Sequence, residues 1–394
     1  MIEKNNLSFE NTEIAFRHSS NSDLKRAYWL FRVINVNFLV KIGPPITNWA
    51  IKIGLPIKGL IKATIFKHFC GGETIAECDK TIKNLNIGGV GTILDYSIEG
   101  EDDELVFDNT RDEIIRTIER AAVDKAVPIT VFKVTGVARF SLLEKLDAKA
   151  QLSIAEQEEW EKVQARVLAI CEKAHSVGIP VMIDAEESWI QQTIDMLALD
   201  MMHLYNAEKA IVYNTYQLYR HDKLASLKND HAIAVKGGFI LGAKLVRGAY
   251  MEKERKRAEE MGYLSPIQPD KRSSDKDYDA ALDYCTDHIE TLAFVAGTHN
   301  EESCRVLAEL LDRKKIDHKN PHVYFSQLLG MSDNLSFNLA NSNYNVAKYV
   351  PYGPIKAVLP YLFRRAQENT AIAGQMSREL SLIVKEVERR KIAR

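Results

Sequence analysis

From Gly88 to Gly353, short runs rich in β-branched and aromatic residues alternate with longer amphipathic stretches. The first four runs are GTILDYSIE (Gly91 to Glu99), PITVFKVTG (Pro128 to Gly136), IPVMIDAEE (Ile179 to Glu187) and AIVYNTYQ (Ala210 to Gln217). The next four are ILGAKLVRGAY (Ile240 to Tyr250), AFVAGTHN (Ala293 to Asn300), VYFSQLLG (Val323 to Gly330) and VAKYVPYG (Val346 to Gly353). Runs of this length and composition read as strands, and the 3.6-residue periodicity between them reads as helices. The clearest helix spans Ile154 to Ser176, where Ser153 and Glu156 form a capping box that satisfies free amides of the first turn. Eight strands with intervening helices over about 270 residues predict an α/β fold of the (β/α)8, TIM-type barrel class. A doubly wound sheet is the alternative. It usually shows a G-x-G-x-x-G turn after its first strand, whereas Gly88, Gly89 and Gly91 precede the strand here. A last helix, Ser377 to Arg394, alternates Leu380, Leu382, Ile383, Val384 and Val387 with charge and is expected to pack on the barrel.

The chain before this rhythm is different. The pattern divides it into an N-terminal helical arm, residues 1–86, and a barrel with its extra C-terminal helix, residues 87–394. Between Leu24 and Gly72 there is no acidic residue, while lysines and arginines alternate with Trp29, Phe31, Phe38 and Trp49. Pro44, Pro45 and Pro56 break the segment into short pieces. One reading is an arm packed on the main domain with its lysines in water. The other is a basic, apolar-faced surface that lies on an anionic membrane.

Composition narrows the class. Of 394 residues, 46% are hydrophobic and 27% charged, as in globular proteins, and a net charge of −2 gives no global pull toward nucleic acid. The five cysteines (Cys70, Cys78, Cys171, Cys285 and Cys304) show no zinc-ligand spacing, so thiols in a reducing compartment are expected. Met1 to Glu10 is polar and partly acidic, unlike a signal or transit peptide, and no apolar run reaches 18 residues. The expectation is an intracellular protein, soluble or peripheral to a membrane.

In such barrels the chemistry sits at the C-terminal ends of the strands. The polar residues there are Lys133, Asp184, Glu186, Asn214, Gln217, Lys244, Arg247, Tyr250, Thr298, His299, Asn300, Gln327 and Tyr349. Farther on, Tyr361, Arg364, Arg365 and Glu368 share one helix face. Two arginines beside a tyrosine suit a small carboxylate, held by bidentate hydrogen bonds. The same face also reads as a solvated one with an Arg364–Glu368 pair. Lys133 or Lys244 could be a Schiff-base nucleophile. His299 lacks the second histidine or cysteine cluster that a metal site needs, so no metal is expected.

Read in order, the strand-end strings resemble the proline dehydrogenase family. They are FKVTGVARF (Phe132 to Phe140), MIDAEES (Met182 to Ser188), YNTYQ (Tyr213 to Gln217), AKLVRGAY (Ala243 to Tyr250), GTHN (Gly297 to Asn300), FSQLLGM (Phe325 to Met331), KYVPYG (Lys348 to Gly353) and YLFRRAQEN (Tyr361 to Asn369). Eight strings in order cover nearly the whole barrel, and the KLVRGAY form is most similar to the monofunctional, eukaryotic-type members.

The resemblance implies a distorted barrel holding FAD, hydride removal from L-proline to give Δ1-pyrroline-5-carboxylate, and a quinone as electron acceptor. It implies Lys133, Asp184 and Lys244 as catalytic, with Asp184 in the network around substrate and Lys133. Lys133, Arg364 and Arg365 would hold the proline carboxylate, and Tyr349, Tyr361 and Leu329 would wall the ring. Asn214, Lys244, Val246, Gly248, Ala249, Tyr250, Thr298, His299, Asn300, Gln327 and Glu368 would contact the cofactor, and Glu99 would gate with Arg364. Many bacterial members carry Arg at the Lys244 position and Gln at the Asn214 position. The implied setting is a bacterial cytoplasm at the inner membrane face, or the mitochondrial matrix side, with a separate pyrroline-5-carboxylate dehydrogenase for the next step. The nearest alternative is hydroxyproline dehydrogenase on the same fold, which the bulk of Tyr349 disfavours. A Schiff-base lyase at Lys133 and a non-enzymatic membrane-binding barrel are the readings from other classes.

Overall fold

All six residues of Val212–Gln217 are buried, as are all seven of Val346–Tyr352 and all four of Ile129–Phe132. Parallel pairing requires crossovers that cover the strands on both faces, so burial runs along each strand without alternation. The computed structural model describes residues 7–34, 58–98, 102–371 and 373–391. Among these residues eight strands close into a barrel in sequential order. They are β1 (Gly91–Tyr96), β2 (Ile129–Phe132), β3 (Val181–Ile183), β4 (Val212–Gln217), β5 (Leu241–Val246), β6 (Leu292–Gly297), β7 (Val323–Leu328) and β8 (Val346–Tyr352). The pairing is parallel, with Val131 level with Met182, Ile183 with Asn214, Thr215 with Lys244 and Ala296 with Phe325. The expected (β/α)8 barrel is present, and each strand falls within its predicted run, β6 starting one residue earlier.

By internal packing the chain divides into two compact units, Ile93–Ser326 and Met1–Thr92 with Gln327–Arg394. In the first, the predicted capping box forms: Ser153 Oγ accepts from Glu156 N, and Glu156 Oε2 accepts from Ser153 N at 2.9 Å. The helix it opens, Ile154–Val177, ends at Gly178 with φ +70°. Buried Arg166 on this helix pairs with Glu104 and Asp108 of the Glu104–Ala122 helix.

In the second unit, Leu24 and Phe31 of the Asn21–Ile34 helix share one core with Phe66, Phe69, Val358, Leu362, Leu382 and Val387. The N-terminal helices are thus packed on the two C-terminal helices, Ile355–Ala371 and Ala373–Arg389. The last helix begins four residues before its predicted start and ends at Arg389. Trp29 and Val33 remain half-exposed. The stretch of the basic segment with Lys41, Lys52 and the three prolines lies outside the described residues. Among the described residues no helix is long and apolar enough to cross a membrane. All five cysteines are buried thiols, and burial pushes Cys304 up to about 12.

Candidate active site

In the unit Ile93–Ser326, Asp184 follows directly on β3, and its N–H donates to Phe132 O at 2.9 Å. That bond sets it beside the end of β2, where Lys133 follows. The β4–β5 register then presents Lys244, whose Nζ reaches Asp184 Oδ1 at 2.5 Å with both side chains almost wholly buried. Two of the three expected catalytic residues are therefore joined, in a pairing that the sequence reading did not draw. Lys133 is half-buried and leads into a single turn, Val134–Gly136.

Glu186 ties three strand ends together. It accepts from Thr135 N and Thr135 Oγ1, its N–H donates to Gln191 Oε1, and its carbonyl accepts from Gln217 Nε2. The sequence placed it at a strand end and gave it no role. Asn214 turns toward the Ser188–Tyr205 helix, donating from Nδ2 to Asp195 Oδ1 at 2.8 Å, while Lys223 pairs with Asp195 Oδ2 at 2.5 Å.

Arg247 organises the ends of β5 and β6. Its guanidinium donates to Asp275 Oδ1, Thr298 Oγ1 and Ser303 Oγ, and stacks 4.4 Å from the Tyr278 ring centroid. Asn300 caps the Glu301–Lys314 helix, accepting at Oδ1 from Glu302 N and Ser303 N. Thr298, His299 and Asn300 thus sit at a helix N-terminus, where aligned peptide dipoles favour negative charge. Arg247 was visible in sequence as a strand-end cation, but its partners lie 28 to 56 positions away. Among the described residues no His, Cys, Asp or Glu group is arranged to hold a metal ion.

Val246 and Tyr250 are half-buried, whereas Gly248 and Ala249 are exposed. Gly248 has φ +142°, and a Cβ there would stand 2.3 Å from the Tyr219 ring. Glycine is required by both backbone and neighbour. Gly248→Ala is expected to cost about 1–3 kcal/mol of stability, and adding Tyr219→Leu should recover part of it in thermal melts. No recovery would leave the backbone angle as the sole cause.

In the unit containing Gln327–Arg394, Gln327 Oε1 accepts from Ser336 Oγ at 2.8 Å, and Leu329 N donates to Tyr349 O at 2.8 Å. Tyr349 and Tyr361 are buried. Arg364 and Arg365 are half-buried on the same helix face as Tyr361, with the Arg365 guanidinium 5.4 Å from the Tyr361 ring centroid. Glu99 and the Glu368 side chain lie outside the described residues. A cavity of about 380 Å³ opens elsewhere, among Ser188, Trp189, Arg220, His221, Asp222 and Arg257 in the unit Ile93–Ser326, and takes in none of the expected site residues.

Residues 78–378 match the family model described as proline dehydrogenase. The chain belongs to the proline dehydrogenase family. Its relatives include proline dehydrogenase 1, mitochondrial, of Dictyostelium discoideum, 33% identical over 98% of this chain and 76% of that protein. The carbapenem antibiotics biosynthesis protein CarD of Pectobacterium carotovorum subsp. carotovorum is 32% identical over 84% of this chain and 86% of its own length. Among solved structures, proline utilization A of Bdellovibrio bacteriovorus superposes with a TM-score of 0.72 at 18% identity, covering 91% of this chain. This chain spans 38% of that protein, and at such identity the likeness concerns the fold. Family membership makes the chain an oxidoreductase and removes the ground for a Schiff base at Lys133.

Proposed function

We infer that the chain oxidises L-proline to Δ1-pyrroline-5-carboxylate, the first step of proline catabolism, with FAD as its cofactor. The observation that carries this reading is the family match over residues 78–378, within which Asp184 and Lys244 stand paired at the strand ends. A buried ammonium and a capped helix N-terminus within one unit fit a ligand that carries phosphate and gathers negative charge on reduction.

On this reading Arg364, Arg365 and Lys133 hold the substrate carboxylate by charge-assisted hydrogen bonds, which fixes the ring in orientation. Tyr349, Tyr361 and Leu329 wall the ring and exclude water. Asp184 keeps the Lys244 ammonium in place. The other cofactor-contacting residues are Asn214, Val246, Gly248, Ala249, Tyr250, Thr298, His299, Asn300, Gln327 and Glu368. Bound flavin supplies the two-electron acceptor, and the chain supplies binding and orientation. A quinone as final acceptor, contact of the basic N-terminal segment with a membrane surface, and a separate enzyme for the next step complete the proposal. They are supported by the resemblance of the motifs.

The test is an absorbance spectrum of the purified protein before and after anaerobic L-proline. Flavin bands near ~450 nm should bleach with proline and persist with hydroxyproline. A colourless protein that also ignores added FAD would overturn the reading.

A further inference from the structure

The turn that leaves β7 is built against backbone preference. Gly330 has φ +76°, and Ser332, which has a side chain, sits in the left-handed region at φ +52°, ψ +42°. A residue with a Cβ avoids that region, and such a conformation persists only where its surroundings over-determine it.

The surroundings are explicit. Lys348 of β8, wholly buried, donates from Nζ to Met331 O at 2.6 Å and to Leu328 O at 3.2 Å, and pairs with Asp333 at 2.8 Å. His68 Nε2 lies 2.9 Å from Gly330 O. Burial pushes the His68 imidazole down to about 4, so the ring is neutral and donates its Nε2 proton to that carbonyl. The strained residue itself is held from a distant part of the chain, Ser332 N donating to Glu379 Oε1 at 2.5 Å. Glu379 is buried on the Ala373–Arg389 helix, whose Leu382, Ile383 and Val387 are seated in the core of the same unit. Inside this clamp lies Leu329, whose N–H is bonded to Tyr349 O.

We propose that Glu379 is a positioning residue: reaching in from the C-terminal helix, its carboxyl group fixes the Leu328–Asp333 turn and thereby sets where Leu329 and Tyr349 stand against the substrate ring. The proposal rests on the reading of the chain as an oxidiser of proline. A buried carboxyl group carries a desolvation cost that a leucine would not, which argues for a task beyond filling space. Burial, with the charge of Asp333, pushes Glu379 up to about 7. An acceptor oxygen faces Ser332 in either protonation state, so the neutral amide of glutamine can take its place.

The experiment compares the full-length wild type with Glu379→Met, which fills the volume without an acceptor, and Glu379→Gln, which keeps one. Amide hydrogen exchange across residues 328–333 and steady-state kinetics with L-proline and a dye acceptor are read together. In Glu379→Met the turn should exchange at least ~10-fold faster, and KM for proline should rise ~10-fold with kcat changed less than ~3-fold. Glu379→Gln should match the wild type in both. Unchanged exchange in Glu379→Met, an equal fall in kcat with KM constant, or a Gln variant as impaired as the Met variant would overturn the proposal. If Glu379→Met does not fold, Glu379→Ala is measured against the same criteria. A wild type inert toward proline would defeat the functional reading alone, because the exchange data still decide whether Glu379 holds the turn.

Discussion

Arg364→Met and Arg365→Met are each expected to lower kcat/KM for L-proline by about 10- to 150-fold, and the double variant by ~10³-fold or more. The figure follows from the interaction each would lose. A charge-assisted hydrogen bond contributes about 1.5–3 kcal/mol, and each 1.4 kcal/mol is a factor of ten. The carboxylate is present in ground and transition states alike, so most of the loss should appear in KM, with a smaller fall in kcat from looser ring orientation. Arg364→Lys should recover only part of the loss, because an ammonium is a point charge and cannot offer the planar fork of donors. Arg365→Met should in addition loosen Tyr361, whose ring lies 5.4 Å from the guanidinium. Steady-state kinetics with flavin content measured in parallel separates lost substrate binding from lost cofactor. Changes below threefold in both single variants would return this helix face to the solvated alternative.

The second large effect concerns the Asp184–Lys244 pair. Asp184→Ala leaves the Lys244 ammonium buried without its 2.5 Å partner, and breaking a buried pair from one side typically costs about 3–5 kcal/mol. We expect Asp184→Ala to be destabilised on that scale and inactive toward proline. The double variant Asp184→Leu, Lys244→Met removes both charges and should regain most of the stability in urea or thermal unfolding, since apolar replacement of a buried pair is often neutral. It should regain no activity. This dissociation distinguishes a pair kept for chemistry from one kept for folding. If the double variant is no more stable than Asp184→Ala, the two residues are not energetically coupled and the pairing has another cause.

The barrel was legible because its physics is local. Strands covered on both faces, such as Ile129–Phe132, are short runs of β-branched and aromatic residues, and a capping box such as Ser153 with Glu156 involves residues three apart. The site was legible only as an inventory of polar residues at strand ends, given its sense by resemblance to a family. The contacts within it were not legible. Asp184 and Lys244 are 60 positions apart, and the register of β3, β4 and β5 brings them together. Asn214 was named for its residue type, yet its amide is engaged by Asp195, 19 positions away on a helix.

The number and order of the strands, the class of the fold and the family were all readable along the chain, because they depend on periodicity and on strings of neighbouring residues. Folding in three dimensions established which charges neutralise one another, why Gly248 must be glycine against the Tyr219 ring, and that helices from the two ends of the chain share one core. It also put Glu379, anonymous in an amphipathic helix, within hydrogen-bond reach of Ser332 N in the turn beside Leu329. The physical reason is common to all of these: side-chain chemistry acts over a few ångströms, and a folded chain brings within that range residues whose separation in sequence carries no trace of it.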